Sequence, residues 1–397
     1  MNLEKRFIDI QAFVHEHQYL HESEVLERYP HFSPPYLQWA QELGRLPTEQ
    51  RLEHENELAT DHITNAQYLE YLHQIKSLMN IESDQFSEEQ IPQILKKKMS
   101  QKKQHELVVI KQQLEKMDFN HYLDIGSGAG HLSSYLLWEN DRTSTCIDQS
   151  RDFQEIGIKK LSRDLPELLQ RIQFKQATFD RTAEIAAPAN SALLGLHACG
   201  DLSVELLESF KKSHHKGFLN YGCCYHKLSE HNLNLSKLAK KNPLNFTNHS
   251  LTLAAKSYKS KSKEEMKLRD KVKLFRYGLH IYLKDQFDLD FISIGNGTKK
   301  DYDGVFSDYA KKYAGNYLEA TSKEELETFI QSNSTKEKIN LLQSLGIIRS
   351  HLARLIEIYL ILDRALYLKE NGYQVQVTET FDKDISPRNI SLWALRS

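Results

Sequence analysis

The chain has 397 residues, 40% of them hydrophobic and 27% charged, with a formal net charge of −2. Those proportions exclude a collagen-like or disordered chain. They fit a globular protein with room for two domains, or for one domain carrying a large insertion. Four cysteines, Cys146, Cys199, Cys223 and Cys224, are too few for a disulfide scaffold and predict a reducing, cytoplasmic setting.

The opening "MNLEKRFIDIQAFVHEHQ" lacks a basic stretch followed by an apolar one, so no signal peptide is predicted. No apolar run reaches the length of a membrane span; even "RLIEIYLILDRALYL" carries Arg, Glu and Asp. Charge is unevenly placed. Residues 1–90 hold 17 Asp/Glu and 6 Lys/Arg, a net of −11, which leaves +9 for the remainder. An excess of that kind is either a set of solvated helix faces or a patch for an anionic partner such as RNA.

Residues 1–94 read as an acidic helical domain. "EKRFIDIQAFVHEH" and "ATDHITNAQYLEYLHQIKSLMN" repeat apolar residues at three- and four-residue spacings. From residue 95 to 229 the pattern is one of alternation. "HYLDIG", "TSTCID", "IQFKQA", "SALLGLHA" and "GFLNYGC" read as five strands. "HLSSYLLWE", "FQEIGIKKL" and "LSVELLESFKK" read as helices among them. The expected fold is therefore α/β, with a doubly wound, mostly parallel sheet. Residues 230–345 form a lysine-rich, mostly helical insertion. Its most biased part, 256–276, has 9 Lys/Arg and 3 Asp/Glu, a net of +6. Residues 346–397 complete the sheet domain. A long helix ends near Gly372, and "YQVQVTETF" and "ISLWALR" form an antiparallel hairpin at one sheet edge.

The strongest local signal is "YLDIGSGAGHLSSYLL". A strand ends at Asp124; Gly126, Gly128 and Gly130 follow; a helix opens near His131. Glycines allow a sharp turn and close backbone approach to a ligand, and free N–H groups at a helix start favour an anionic group. The nicotinamide fingerprint is G-x-G-x-x-G, whereas here the spacing is G-x-G-x-G with an acid two residues before the first glycine. This resembles motif I of class I S-adenosylmethionine-dependent methyltransferases. The resemblance implies S-adenosylmethionine as cofactor, with the loop behind its methionine end and Asp124 near its ammonium group. Asp148, closing the second strand, would accept the ribose hydroxyls, and Phe179 and Asp180 after the third would flank the adenine. The candidate cofactor residues are thus Asp124, Gly126, Ser127, Gly128, Gly130, His131, Asp148, Gln149, Phe179, Asp180 and His197.

Five motifs occur in order: "KMSQKKQHEL", "DIGSGAGHLS", "GLHACGDLS", "GCCYHKLS" and "FDKDISPRNISLWAL". Together they resemble the methyltransferase-like 25 family, also described as ribosomal RNA adenine dimethylase domain-containing proteins, over roughly residues 95–397. The resemblance implies a class I methyltransferase fold and S-adenosylmethionine binding, and names no acceptor. "HACG" stands where amino-nitrogen methyltransferases carry an Asn/Asp-Pro-Pro-aromatic motif. In "KMSQKKQHE", Lys102, Lys103 and Glu106 are either an exposed helix face or groups that close over the cofactor or substrate entrance. "SPRN", Ser386 to Asn389, fixes the final hairpin turn.

Ligands of doubly wound sheets bind beyond the carboxyl ends of the strands. "HACGD" and "YGCCYH" close strands four and five, so His197, Cys199, Asp201, Cys223, Cys224, Tyr225 and His226 converge there. Zinc would take Cys199, Cys223 or Cys224, His197 and His226. Adjacent cysteines diverge on a strand, however, and there is no C-x-x-C pair, so no metal is expected. A cysteine nucleophile resembles RNA cytosine-5 methyltransferases, but their Pro-Cys and Thr-Cys motifs are absent. The third reading makes the cysteines a pocket wall. Asp201, Cys223 and Tyr225 are the candidate catalytic residues. Asp201 or His197 would take a proton from an N–H or O–H acceptor. Two functions follow: a methyltransferase acting on RNA or a ribonucleoprotein, with protein or small-molecule acceptors open, or a non-catalytic RNA-binding or assembly factor that retains the cofactor fold.

Overall fold

The computed structural model describes residues 2–396 apart from 88, 98, 183–186, 257–259, 261 and 295–296. The chain divides into two compact units. One comprises Met1–His15, Leu78–Lys259 and Ala353–Ser397, and the other Glu16–Ser77 and Ser260–Leu352.

The first unit is built on a seven-stranded sheet. Its strands are β1 (His121–Ile125), β2 (Thr143–Asp148), β3 (Ile172–Gln176), β4 (Ser191–Cys199), β5 (Gly217–Cys223), β6 (Gln374–Glu379) and β7 (Ile390–Leu395), in the order β3-β2-β1-β4-β5-β7-β6. All pairs among β1–β5 are parallel, and β7 runs antiparallel to both β5 and β6. The order reverses between β1 and β4, which opens a crevice at their carboxyl ends. All five residues of β1 are buried, as expected of a central strand covered on both faces. The helices that matter for the site are α1 (Gln101–Glu115), α2 (His131–Leu136), α3 (Arg151–Asp164), α4 (Leu202–Lys212) and α5 (Leu352–Glu370). Leu107 and Ile110 of α1, Leu132 and Tyr135 of α2 and Leu161 of α3 join Tyr122, Cys146, Leu194 and Trp393 in one core.

The sequence boundaries do not coincide with these units. Residues 1–15 and 78–94, read as part of an acidic N-terminal domain, belong to the sheet unit. Phe7 is fully buried and stacks on Tyr359 of α5 at 4.8 Å. Ser83 bridges Glu379, and the Asp84 N–H donates to the Glu379 carbonyl at 3.0 Å, covering the otherwise open edge of β6. The insertion is likewise divided, because residues 230–256 stay with the sheet. The buried Asp363 carboxylate of α5 accepts the Leu235 and Ser236 N–H groups at 2.7 and 2.8 Å. The long C-terminal helix expected through Arg349 is two helices, Asn333–Ser350 and α5, meeting at His351.

The second unit is helical. Helix Pro34–Gly44 packs on Asn333–Ser350, around an aromatic cluster in which Trp39 stacks on Tyr68 at 5.1 Å. Its composition explains the charge asymmetry. Helix Lys263–Phe287 carries most of the described part of the basic segment. Lys263 pairs with Glu49 at 2.6 Å, and Arg269 pairs with the buried Glu55 at 2.5 Å. Acidic and basic segments neutralise each other inside one unit, while Lys267 and Lys271 remain exposed. Lys259 and Lys261 of the same basic segment lie outside the described residues. Among the described residues no helix is long and apolar enough to cross a membrane.

Two desolvated histidines, half-buried His131 and buried His215, couple stability to pH. Burial, assisted by Lys160 and Lys103, draws His131 down to about 4. Burial with His121, Arg396 and His214 does the same to His215, which shares a 2.7 Å hydrogen bond with Ser191. A folded pKa below the unfolded one means that the unfolded chain binds the proton first. Stability is therefore complete above about pH 6.5 and declines as the pH falls toward 4, on the order of 1–2 kcal/mol per histidine after solvent screening. Urea midpoints at pH 7, 5.5 and 4.5 are expected to fall in that order, and a flat profile would contradict the burial of these rings.

Candidate active site

The glycine loop joins β1 to α2. Gly126, Gly128 and Gly130 have φ of +71°, +54° and +69°. At Gly130 glycine is needed twice over, because a Cβ would also lie 2.9 Å from the Phe174 ring. Cβ atoms at Gly126 and Gly128 would meet no protein atom within 4 Å, so this face of the loop is an open cradle. The loop is fastened to β2. The Gly126 N–H donates to the Ile147 carbonyl at 2.8 Å, and the Asp148 carboxylate accepts the Gly128 N–H and the Ser150 N–H, each at 2.8 Å. From the other side Gly157 lets α3 approach, since a Cβ there would fall 2.5 Å from the Ala129 carbonyl oxygen. Asp124 is buried beneath the loop and accepts the Ser133 hydroxyl at 3.0 Å. Burial pushes its carboxyl up, opposed first by Lys103 and then by Ser133.

The second half of the site lies at the ends of β4 and β5. The pairing of these strands is interrupted between Leu196 and Ala198, and His197 there has φ +60°. This irregularity re-aims the imidazole. Its Nε2 meets the Glu106 Oε1 at 2.8 Å. Glu106 is only 1% exposed, comes from the first turns of α1, and also accepts the Ser386 hydroxyl at 2.7 Å, with Lys102 at 3.6 Å. Burial would raise this carboxyl, but His197, Ser386 and Lys102 outweigh it and hold its pKa below the ordinary value.

Cys199 and Cys223 are paired in register across β4 and β5, with Sγ atoms 3.0 Å apart. Cys224, at φ +51°, leaves the strand direction and brings its Sγ to 3.3 Å from Cys199. The expectation that adjacent cysteines diverge is thus incorrect here, because the left-handed residue turns the second thiol back. The Cys223 contact draws the Cys199 thiol below its ordinary value against the opposing effect of burial, with Cys224 and Lys227 assisting; the same contact, with burial, pushes Cys223 up.

Two candidate catalytic residues sit differently from expectation. The Asp201 carboxylate is occupied by the Ser229 N–H at 2.8 Å, the Ser229 hydroxyl at 2.5 Å and the Asn232 amide at 2.7 Å. Burial raises its carboxyl, but Asn232 and Ser229 together bring it below the ordinary value, so it organises the turn after β5 and is a poor proton acceptor. Tyr225 is fully buried, and its hydroxyl faces the Glu357 carboxylate at 3.4 Å rather than the crevice. His226 is exposed on the turn. Gln149 is exposed, and its carbonyl accepts from Gln176 at 3.4 Å. Phe179 is half-buried past the end of β3; Asp180 is exposed and accepts the Thr182 N–H at 2.7 Å. The Ser127 carbonyl accepts the Gly130 N–H at 3.0 Å, which closes the loop. Ser150 and Gly157 had no place in the sequence reading, and Ser386 was read only as part of the hairpin turn. A glycine inside the amphipathic "FQEIGIKKL" is the one mark that points to a close approach there.

Residues 72–231 match the family model described as a methyltransferase domain. The chain carries a methyltransferase domain. Its cofactor is S-adenosylmethionine, which the open cradle at Gly126 and Gly128 and the half-exposed Asp148 fit. Solved structures that align with the chain include YJHP from E. coli, at 14% identity over 76% of this chain and 97% of that one, with a TM-score of 0.27. Coclaurine N-methyltransferase bound to N-methylheliamine and SAH aligns at 14% identity over 91% and 97%, with a TM-score of 0.29. Likenesses this distant bear on neither acceptor nor site residues.

Proposed function

We infer that the chain methylates RNA, free or within a ribonucleoprotein, with the acceptor entering beside His197 at the carboxyl ends of β4 and β5. S-adenosylmethionine supplies an activated methyl group when bound, so the chain's work is alignment. Gly126, Gly128 and Asp148 hold the donor. The observation that carries the reading is His197, turned out of β4 and fastened to a buried carboxylate. With Nε2 donating to Glu106, Nδ1 is the acceptor nitrogen and receives an N–H or O–H of the substrate, which Glu106 keeps in one tautomer. Support for RNA comes from exposed Lys102 and Lys227, which flank this end of the sheet. The paired lysines and arginines of helix Lys263–Phe287 add little to it.

Radiolabelled S-adenosylmethionine, offered with fractionated lysate from a strain lacking this protein, is expected to label ribonuclease-sensitive material. Lys102→Ala with Lys227→Ala is expected to weaken RNA binding and flatten its salt dependence, because fewer phosphate counterions are released, while cofactor affinity stays unchanged. Label in protein or small molecules would replace the acceptor class. Cofactor binding with no label in any fraction would favour a non-catalytic binding factor.

A further inference from the structure

Three thiols from two strand ends converge on one point. The Sγ atoms of Cys199, Cys223 and Cys224 all lie within 4.8 Å of one another, and Cys199 is 3.0 and 3.3 Å from the other two. Ordinary packing of three cysteines does not require this. Cys224 reaches Cys199 only through a left-handed backbone, which for a residue with a Cβ costs about 1 kcal/mol or more. A disulfide between Cys199 and Cys223 would use two of the sulfurs and leave that third, strained approach without a purpose. A shared cation uses all three.

We propose that Cys199, Cys223 and Cys224 bind a zinc ion through three thiolates, with the fourth position open to the crevice beyond β4 and β5. Zinc–sulfur bonds of about 2.3 Å in tetrahedral geometry place sulfurs about 3.8 Å apart, and the three sulfurs, at 3.0 and 3.3 Å from Cys199 and all within 4.8 Å of one another, bracket that spacing. A zinc ion with three thiolates carries a net charge of −1, and Lys227, three residues beyond Cys224, stands exposed beside the β4–α4 turn. Cys199 and Cys224 are half-buried, so the site is not sealed. Three protein ligands with an exposed fourth position are the pattern of reactive zinc sites, whereas structural sites take four. The proposal concerns metal binding alone and stands independently of the acceptor's identity.

The test is metal analysis of full-length protein purified in reductant without chelator, followed by titration with zinc and with cobalt. One zinc per chain is expected. Cobalt substitution is expected to give the sulfur-to-metal charge-transfer band of a three-thiolate site. Cys224→Ala, a change at a half-exposed position, is expected to weaken zinc at least tenfold while leaving the melting curve of metal-free protein and S-adenosylmethionine affinity unchanged. Absence of zinc and cobalt binding by wild type with all thiols reduced would overturn the proposal. So would zinc affinity indifferent to Cys199→Ala and Cys224→Ala, or a Cys199–Cys223 disulfide recovered in place of metal. Calorimetry with S-adenosylmethionine on the same samples separates the two readings: lost cofactor binding in metal-loaded wild type would count against the methyltransferase assignment and not against the metal site.

Discussion

Asp148→Ala is expected to lower S-adenosylmethionine affinity by about a hundredfold or more. The Asp148 carboxylate fastens two turns at once, through the N–H groups of Gly128 and Ser150. Hydrogen bonds to a charged acceptor contribute about 1.5–3 kcal/mol each, and a factor of ten in affinity is about 1.4 kcal/mol. Without the carboxylate the glycine loop loses its tie to β2, and the remaining lone pairs are no longer offered to the ribose hydroxyls that the class I resemblance assigns to this position. Asp148→Asn is expected to be nearly as damaging, because one of its two contacts would set an amide N–H against a backbone N–H. Asp180→Ala, removing an exposed carboxylate spent on its own turn, is expected to change affinity little. Calorimetry with each variant, beside a melting curve, is the check. Equal affinity for wild type and Asp148→Ala would remove the cofactor site from this loop.

The parallel part of the sheet was legible because apolar runs such as β1 and β4, each followed by a glycine, alternate with amphipathic helices. The β4–β5 ends were legible as a place, since parallel strands of one sheet finish on the same side. What happens at that place was not. A left-handed residue such as Cys224 or His197 leaves no mark in residue type, so period-two reasoning sent Cys224 away from Cys199 when the backbone returns it. Asp201 resembled a free base because nothing in "HACGDLS" reveals that Ser229 and Asn232 fold back onto its carboxylate. Tyr225 resembled a crevice residue because its buried partner Glu357 lies 132 positions away. The division into units was hidden for a related reason. Amphipathic helices declare which face they bury but not against which partner. The acidic residues 16–77 pack on helix Asn333–Ser350 and reach the basic helix through ion pairs, while residues 1–15 find their partner in α5.

Glu357→Ala is expected to destabilise the sheet unit by about 3–5 kcal/mol, the usual cost of removing one partner from a buried ion cluster. Glu357 is 2% exposed and lies between two guanidinium groups, Arg354 at 2.8 Å on one oxygen and Arg388 at 3.0 Å on the other. Arg354 is 3% exposed and also reaches the Asn389 side chain at 2.6 Å. Arg388 further donates to the carbonyls of Ala254 and Ala255. The cluster thus ties α5, the β6–β7 turn and the segment after β5 to one carboxylate, with the Tyr225 hydroxyl against it at 3.4 Å. Removing that carboxylate leaves Arg388 without an acid and Arg354 with Glu379 alone, two like charges brought together with one counter-charge between them. Replacing these three at once, as Arg354→Met, Glu357→Leu and Arg388→Met, leaves only the Glu379 carboxylate, which is 27% exposed and open to water, and is expected to cost less than the single change, since buried ion clusters are often close to neutral against apolar residues of similar volume. Denaturant titrations of the single and triple variants provide the comparison. If Glu357→Ala unfolds at the wild-type midpoint, or the triple variant is weaker than the single one, the cluster is not the strut beneath the β5 end that its contacts describe.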